Sequence, residues 1–133
     1  RFADGLIPAG WRVLPGPHRL HRSADFATVV RRGARKGRRT MVVHAHVDSS
    51  EFRVGGPRFG LVVSKAVGDS VTRHRVSRRL RHIAAQLMSG VESDLMVVIR
   101  ANPASATASH DDLARDFSKA LEVATARARQ ERS

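Results

Sequence analysis

Apolar residues recur along this chain with two periods, one helical and one extended. Val76, Leu80, Ile83 and Leu87 repeat at spacings of three and four. At 3.6 residues per turn that gathers them on one side of a helix. Leu113, Phe117, Leu121 and Ala124 repeat in the same way, and Phe26, Val29 and Val30 do so more briefly. The stretch 40–47 alternates instead. Met41, Val43, Ala45 and Val47 point one way, and Val42, His44 and His46 the other, which predicts a strand. Residues 59–65 and 95–100 read as further strands, the last too apolar to be exposed on both faces.

Punctuation sets the boundaries. Ser23 is a candidate N-cap for a first helix, with Arg31 and Arg32 in its last turn and Gly33 to close it. A basic loop through Arg35, Lys36, Arg38 and Arg39 follows. Gly55-Gly56-Pro57 lies within 48–58, which reads as a hairpin connection between the first two strands. Asp69 or Ser70 caps the second helix, which runs to about Met88 and stops at Gly90. Residues 102–108 form a loop of small residues. Ser109 and Asp112 have capping-box spacing, and Asp111 adds negative charge to the first turn of the last helix. The order is helix, strand, strand, helix, strand, helix. It predicts an α/β (α+β) two-layer sandwich with a small mixed sheet, held within residues 18–133 as one domain. Residues 1–17 carry Gly5, Pro8, Gly10, Pro15, Gly16 and Pro17, and read as an irregular or mobile lead-in. Native translation is expected to start at Val13, through a valine codon read as an initiator.

Charge changes the picture more than size does. In 133 residues, enough for one core, the formal net charge is +12, which points to nucleic acid or an anionic membrane. The chain has no cysteine, so disulfide frameworks and thiolate metal sites are excluded and a reducing cytoplasm is the expected compartment. Stretches such as Leu95 to Ile99 fall far short of a membrane span. With one Trp, no Tyr and five Phe, the chain lacks the aromatic surface that stacks many bases.

The charge concentrates where the second helix is predicted. From Arg73 to His82 there are five arginines and no acid, and between Arg53 and Val91 the only acid is Asp69. On the helix, Arg75, Arg78 and Arg81 fall opposite the aliphatic stripe, a positive ridge above a buried one. A guanidinium fork matches phosphate bidentately. Solubility needs both signs interspersed, so a merely solvated face is the poorer account. Membrane binding is disfavoured because the stripe has no Trp or Phe. Base-reading groups are sparse, with only His74, Ser77 and Gln86 near the arginines, so phosphate and shape recognition is expected.

The stretch from Phe59 to His82, Phe-Gly-Leu-Val-Val-Ser-Lys-Ala-Val-Gly-Asp-Ser-Val-Thr-Arg-His-Arg-Val-Ser-Arg-Arg-Leu-Arg-His, resembles the signature of the bacterial ribonuclease P protein component. In that family a strand ending in lysine leads through a glycine into an Arg-Asn-Arg motif and a basic helix. Arg19 to Phe26, followed by Val29-Val30-Arg31-Arg32-Gly33, resembles the family's opening. The likeness covers about residues 18 to 127. It implies a left-handed βαβ crossover, against the usual hand. It implies the small subunit of a ribozyme, whose RNA hydrolyses the bond joining the 5′ leader to precursor tRNA. The protein would bind the catalytic RNA and the leader and help the complex take up Mg²⁺ through the RNA, holding no tight cofactor itself. Carried over by position, Lys65, Arg73, His74, Arg75, Arg78, Arg79 and Arg81 would contact the catalytic RNA. Phe26, Val30 and His44 would line a cleft between the first helix and the sheet that holds the single-stranded leader. Three features depart from the pattern. Arg-His-Arg replaces Arg-Asn-Arg, so His74 takes over the hydrogen bonds of an amide. Ser77 stands where lysine is common. Val30 and His44 stand where aromatic residues are often found.

Alternatives remain at this level. A ribosomal or general RNA-binding protein would share charge and fold class. His44 and His46, two apart on a strand, can seat a metal if a third ligand arrives, which would make a metal-dependent nuclease. No carboxylate pair sits near the arginines for two-metal hydrolysis, and no base is placed for Ser64, so no catalytic group is expected on the protein. The expected partners are the catalytic RNA and precursor tRNA, with no membrane, and the protein alone is expected to be monomeric.

Overall fold

A computed structural model describes residues 19–20, 22–48 and 56–132 of the chain. The expected lead-in and the Val13 start lie outside the described residues. The elements are α1 (Ser23–Arg32), β1 (Ala34–Gly37), β2 (Met41–Val47), β3 (Arg58–Val62), α2 (Ser70–Leu87), β4 (Leu95–Ala101) and α3 (His110–Arg132). Short 3-10 turns follow α2 at Met88–Gly90 and β4 at Pro103–Ala106.

The four strands form one mixed sheet in the order β1-β2-β4-β3. β2 pairs antiparallel with β1 and β4, with Val43 opposite Ile99, while β3 runs parallel to β4, with Gly60 opposite Val98. The expected hairpin between the first two predicted strands is therefore wrong. β4 enters between β2 and β3, because it is the most apolar strand and the centre of the sheet is the position buried on both faces. The returning strand also ends sooner than 65, at Val62, and Lys65 lies in the turn that leads to α2. Beyond β3, Leu20 N donates to Phe59 O at 2.8 Å.

The expected basic loop is also partly a strand. Ala34–Gly37 pairs along β2, with Arg35 opposite His44. Its Arg and Lys do not read as strand formers, but charge on an edge strand guards the open edge against pairing with another chain.

One face of the sheet carries the main core. Met41, Val43, Ala45, Phe59, Leu95, Val97 and Ile99 meet Val76, Leu80, Ile83 and Ala84 of α2, and Leu113, Phe117, Ala120 and Ala124 of α3. Each fully buried aliphatic side chain contributes about 1.5–3 kcal/mol. α1 lies on the opposite face over a smaller cluster of Leu20, Val29, Met96 and Val98, with Phe26 against it.

The caps follow the sequence at two helices and not at the third. The Asp69 carboxylate accepts from Thr72 N at 2.8 Å, and Ser109 Oγ accepts from Asp112 N at 3.0 Å. Gly68, at φ 156°, turns the chain into the first of these caps, a conformation that side chains disfavour. Ser23 is not a cap. It is already helical, and Arg22 precedes it without a side-chain cap. Gly33 is extended at φ −76°, not left-handed, so backbone freedom is not why it is glycine. A Cβ there would press on Val29 O and stand 2.6 Å from Ala45 O, where α1 hands over to the sheet.

Candidate nucleic-acid interface

The aliphatic stripe of α2 is buried as its spacing requires, with Val76, Leu80 and Ile83 closed off and Leu87 half-buried. The arginines do not form the single outward ridge expected. Arg78 stands about 160° round the helix from Val76, and Arg78 and His74 are exposed on the crest, as is Lys65 in the turn before α2. Arg75, Arg79, Arg73 and Arg81 are half-buried on the flanks. Arg75 Nη2 donates to Ala106 O at 2.8 Å, and Arg79 Nη1 to Ala108 O at 3.4 Å. Arg73 Nη2 reaches Ser70 Oγ at 3.4 Å. Burial, and then the charge of Arg19, push the Arg81 guanidinium below its ordinary pKa, so these two cations lie close together. The correction has a plain cause. Arginine stems are long enough to lie along apolar surface, so a guanidinium rooted beside the stripe bends to the nearest acceptor.

The ridge is divided but not neutralised. The ion pairs shown between described residues join Arg38 to Asp116, Arg39 and Arg115 to Asp112, Arg58 to Asp48, and Arg129 to Glu92 and Asp94. None uses a cation of α2. Asp69 at the helix start is held below the usual carboxylate range, first by the Thr72 hydrogen bonds and then by Arg75 and Arg73.

The second candidate region is the α1 side of the sheet. The Phe26 ring lies on the backbone of Gly60, where an added Cβ would stand 2.5 Å from Cε1 and 3.2 Å from Leu20 Cδ1. Val30, on the same side of α1 four residues on, is 36% exposed. His44 does not line an open cleft. It is 1% exposed, and its ring nitrogens are buried without a hydrogen-bond partner among the described residues. Strand alternation instead places Val62, Arg100 and Val42 on this face, paired in register across the sheet. Val62 is 36% exposed and Arg100 is exposed. The apolar part of the open surface is thus Phe26, Val30, Val42 and Val62, with Arg100 among them and Arg35 on the neighbouring strand. Sequence reasoning missed Val42, Val62 and Arg100. The available signal was the lone charge closing the apolar run of β4.

His44 is held neutral. Burial, then the Arg100 and Arg35 charges, lower its pKa from 6.5. The unfolded chain therefore takes up this proton at a higher pH than the folded one. Stability from this site is complete above about pH 6.5 and declines as pH falls below it. Denaturant midpoints at pH 7.5 and pH 5.5 test this. His44→Leu is expected to lose less stability on acidification than the parent, and an equal loss in both would show that His44 is not the group.

Among the described residues no three His, Cys, Asp or Glu side chains cluster to hold a metal. Nor is any helix of these residues long and apolar enough to cross a membrane.

A family model for ribonuclease P matches residues 14–125. The chain belongs to the bacterial ribonuclease P protein family. A ribonuclease P protein component of Nocardia farcinica is 51% identical over 127 residues, covering 82% of this chain and 81% of that protein. One from Rhodococcus opacus is 54% identical over 112 residues, covering 82% and 90%. The fold agrees with solved ribonuclease P proteins. That of Staphylococcus aureus has a TM-score of 0.72 at 20% identity, covering 80% of this chain and 94% of that one. That of Thermotoga maritima has a TM-score of 0.65 at 16% identity, covering 80% and 94%.

As a ribonuclease P protein component, the chain is a subunit of the endonuclease of tRNA 5′ processing, and its partner is the ribonuclease P RNA, which carries the catalysis.

Proposed function

We propose that the crest of α2 binds the phosphate backbone of the catalytic RNA and that the α1 face of the sheet receives the 5′ leader of precursor tRNA. Lys65, His74 and Arg78 make the outer contacts with the catalytic RNA. Arg73, Arg75, Arg79 and Arg81 add charge from the flanks, and each guanidinium keeps donors beyond those used inside the fold. The carrying observation is the set of α2 cations, none of which enters an ion pair shown between described residues, with Asp69 as the one carboxylate whose charge they feel. Binding is dominated by counterion release and falls steeply with salt.

The leader site follows from a different chemistry. A single strand offers bases to apolar and aromatic surface and phosphates to cations. Phe26, Val30, Val42 and Val62 supply the first, and Arg100 and Arg35 the second. His44 serves from beneath, as a buried spacer and not a stacking ring. Mg²⁺ enters through the RNA, and the protein lowers the Mg²⁺ needed by neutralising phosphates. The reaction takes place in the cytoplasm, on precursor tRNA.

Reconstitution tests the reading. With the cognate catalytic RNA at low Mg²⁺, the protein is expected to stimulate removal of the 5′ leader from a precursor tRNA. Absence of stimulation, or cleavage by the protein alone that a chelator abolishes, would sink it. Gly60→Ala separates the two sites. Its Cβ displaces the Phe26 ring, so affinity for precursor tRNA bearing a leader is expected to fall several-fold. Affinity for mature tRNA, and assembly with the catalytic RNA, should be unchanged. Equal losses for both tRNAs would remove Phe26 from the leader site.

A further inference from the structure

A third cationic feature lies across the end of the sheet from α2. Arg38 and Arg39 follow β1 in the turn to β2, and Arg115 stands in the first turns of α3. With Gly37, Asp112 and Asp116 they line an open polar hollow of about 410 Å³. Two carboxylates hold the three guanidinium groups. Asp116 Oδ1 accepts from Arg38 Nε at 3.2 Å. Asp112 Oδ1 accepts from Arg115 Nη1 and Nη2 at 3.1 and 2.9 Å, and Asp112 Oδ2 lies 3.8 Å from Arg39 Nη2. The hollow keeps a net positive charge from its own groups, and Arg39 and Arg115 are exposed with donors to spare.

This hollow and α2 occupy the same end of the fold. Met41 pairs with Ala101, and Val62 with Arg100, so the β1–β2 turn, the loop after β4 and the approach to α2 all gather there. A run of hydrogen bonds joins them. Arg75 holds Ala106 O, Ser105 Oγ donates to Asn102 O at 2.7 Å, and Asn102 Nδ2 donates to Arg38 O at 3.0 Å and to Arg39 O at 3.3 Å. The backbone that carries Arg38 and Arg39 is therefore tied to the basic helix.

Guanidinium groups aimed by carboxylates and fixed relative to a second basic surface are preorganised for a phosphate at set spacing. We infer that the hollow of Arg38, Arg39 and Arg115 is a further phosphate site, taking a phosphodiester of an RNA strand that continues past α2 along this end of the sheet. The site rests on the RNA-binding reading of α2. The backbones of the catalytic RNA and of precursor tRNA offer it the same chemistry.

The test uses the double variant Arg39→Gln/Arg115→Gln in the full chain, keeping Arg38 because it is bound to the buried Asp116. Salt dependence is measured for binding of the catalytic RNA, and for binding of precursor tRNA to the assembled holoenzyme. One of the two log–log slopes is expected to flatten by about one unit, and which one names the strand in the hollow. If both slopes are unchanged while Arg78→Gln still flattens the first, no phosphate binds in the hollow and the α2 reading stands. If Arg78→Gln is silent as well, both fall together. Should the double variant melt lower than the parent, Arg39→Gln alone, whose one ion pair among the described residues spans 3.8 Å, carries the same test.

Discussion

Arg78→Glu is expected to weaken binding of the catalytic RNA about a hundredfold at moderate salt while leaving the melting temperature unchanged. The side chain is exposed on the crest of α2, and no hydrogen bond or ion pair ties it to the described fold. Stability therefore has nothing to lose. Binding loses twice, because a phosphate contact disappears and a like charge takes its place. Like charges in juxtaposition cost several kcal/mol, and about 1.4 kcal/mol is a factor of ten. The slope of affinity against salt flattens by about two units, one for the lost cation and one for the new anion. Arg75→Glu is the internal comparison. It removes the hydrogen bond to Ala106 O and so lowers stability as well as affinity. Anisotropy titrations over a salt series, with a thermal melt of each protein, separate the two. Wild-type affinity in Arg78→Glu would mean that the RNA lies elsewhere.

The contrast between Arg75 and Arg78 also marks how far the sequence carries. Periodicity locates the buried stripe of α2 because a helix repeats every 3.6 residues whatever surrounds it. The direction of a long cation depends on acceptors that tertiary structure supplies, and Ala106 lies 31 residues further along. The same division holds for the sheet. β2 and β4 are legible from their own residues, yet the place of β4 between β2 and β3 is a pairing preference across the whole chain. β1 is invisible to propensity because Arg35, Lys36 and Gly37 form a strand only by pairing with β2. His44 shows the limit most clearly. Alternation assigns it correctly to the face away from the main core, but that face is covered by α1, and an exposed reading of the polar side fails. Asp116 sits on the polar flank of its helix in sequence. In the fold it accepts from Thr40 Oγ at 2.7 Å, from Thr40 N at 3.2 Å and from Arg38 Nε. Burial alone would raise this carboxyl, and those bonds hold it below its ordinary pKa instead.

Phe117→Ala is expected to be the most damaging single truncation, at about 3–5 kcal/mol. Phe117 is fully buried and meets Phe59 edge-to-face, with ring centroids 6.3 Å apart at 67°. The pair fastens α3 to β3 across the main core, so the truncation leaves a cavity and also removes an aromatic contact. Against a total of about 5–15 kcal/mol for a domain, that is a large share. The melting temperature should fall by about 10–25 °C. The RNA offsets part of the loss. A ligand at a hundred times its dissociation constant stabilises the folded state by about 2.7 kcal/mol. Phe117→Ala should therefore unfold easily as free protein, yet support leader removal once assembled with excess catalytic RNA. Phe117→Leu should lie between it and the parent in melting temperature. If Phe117→Ala stays inactive at saturating RNA while Phe117→Leu is active, the ring does more than hold the core. The face it anchors would then be part of what the RNA recognises.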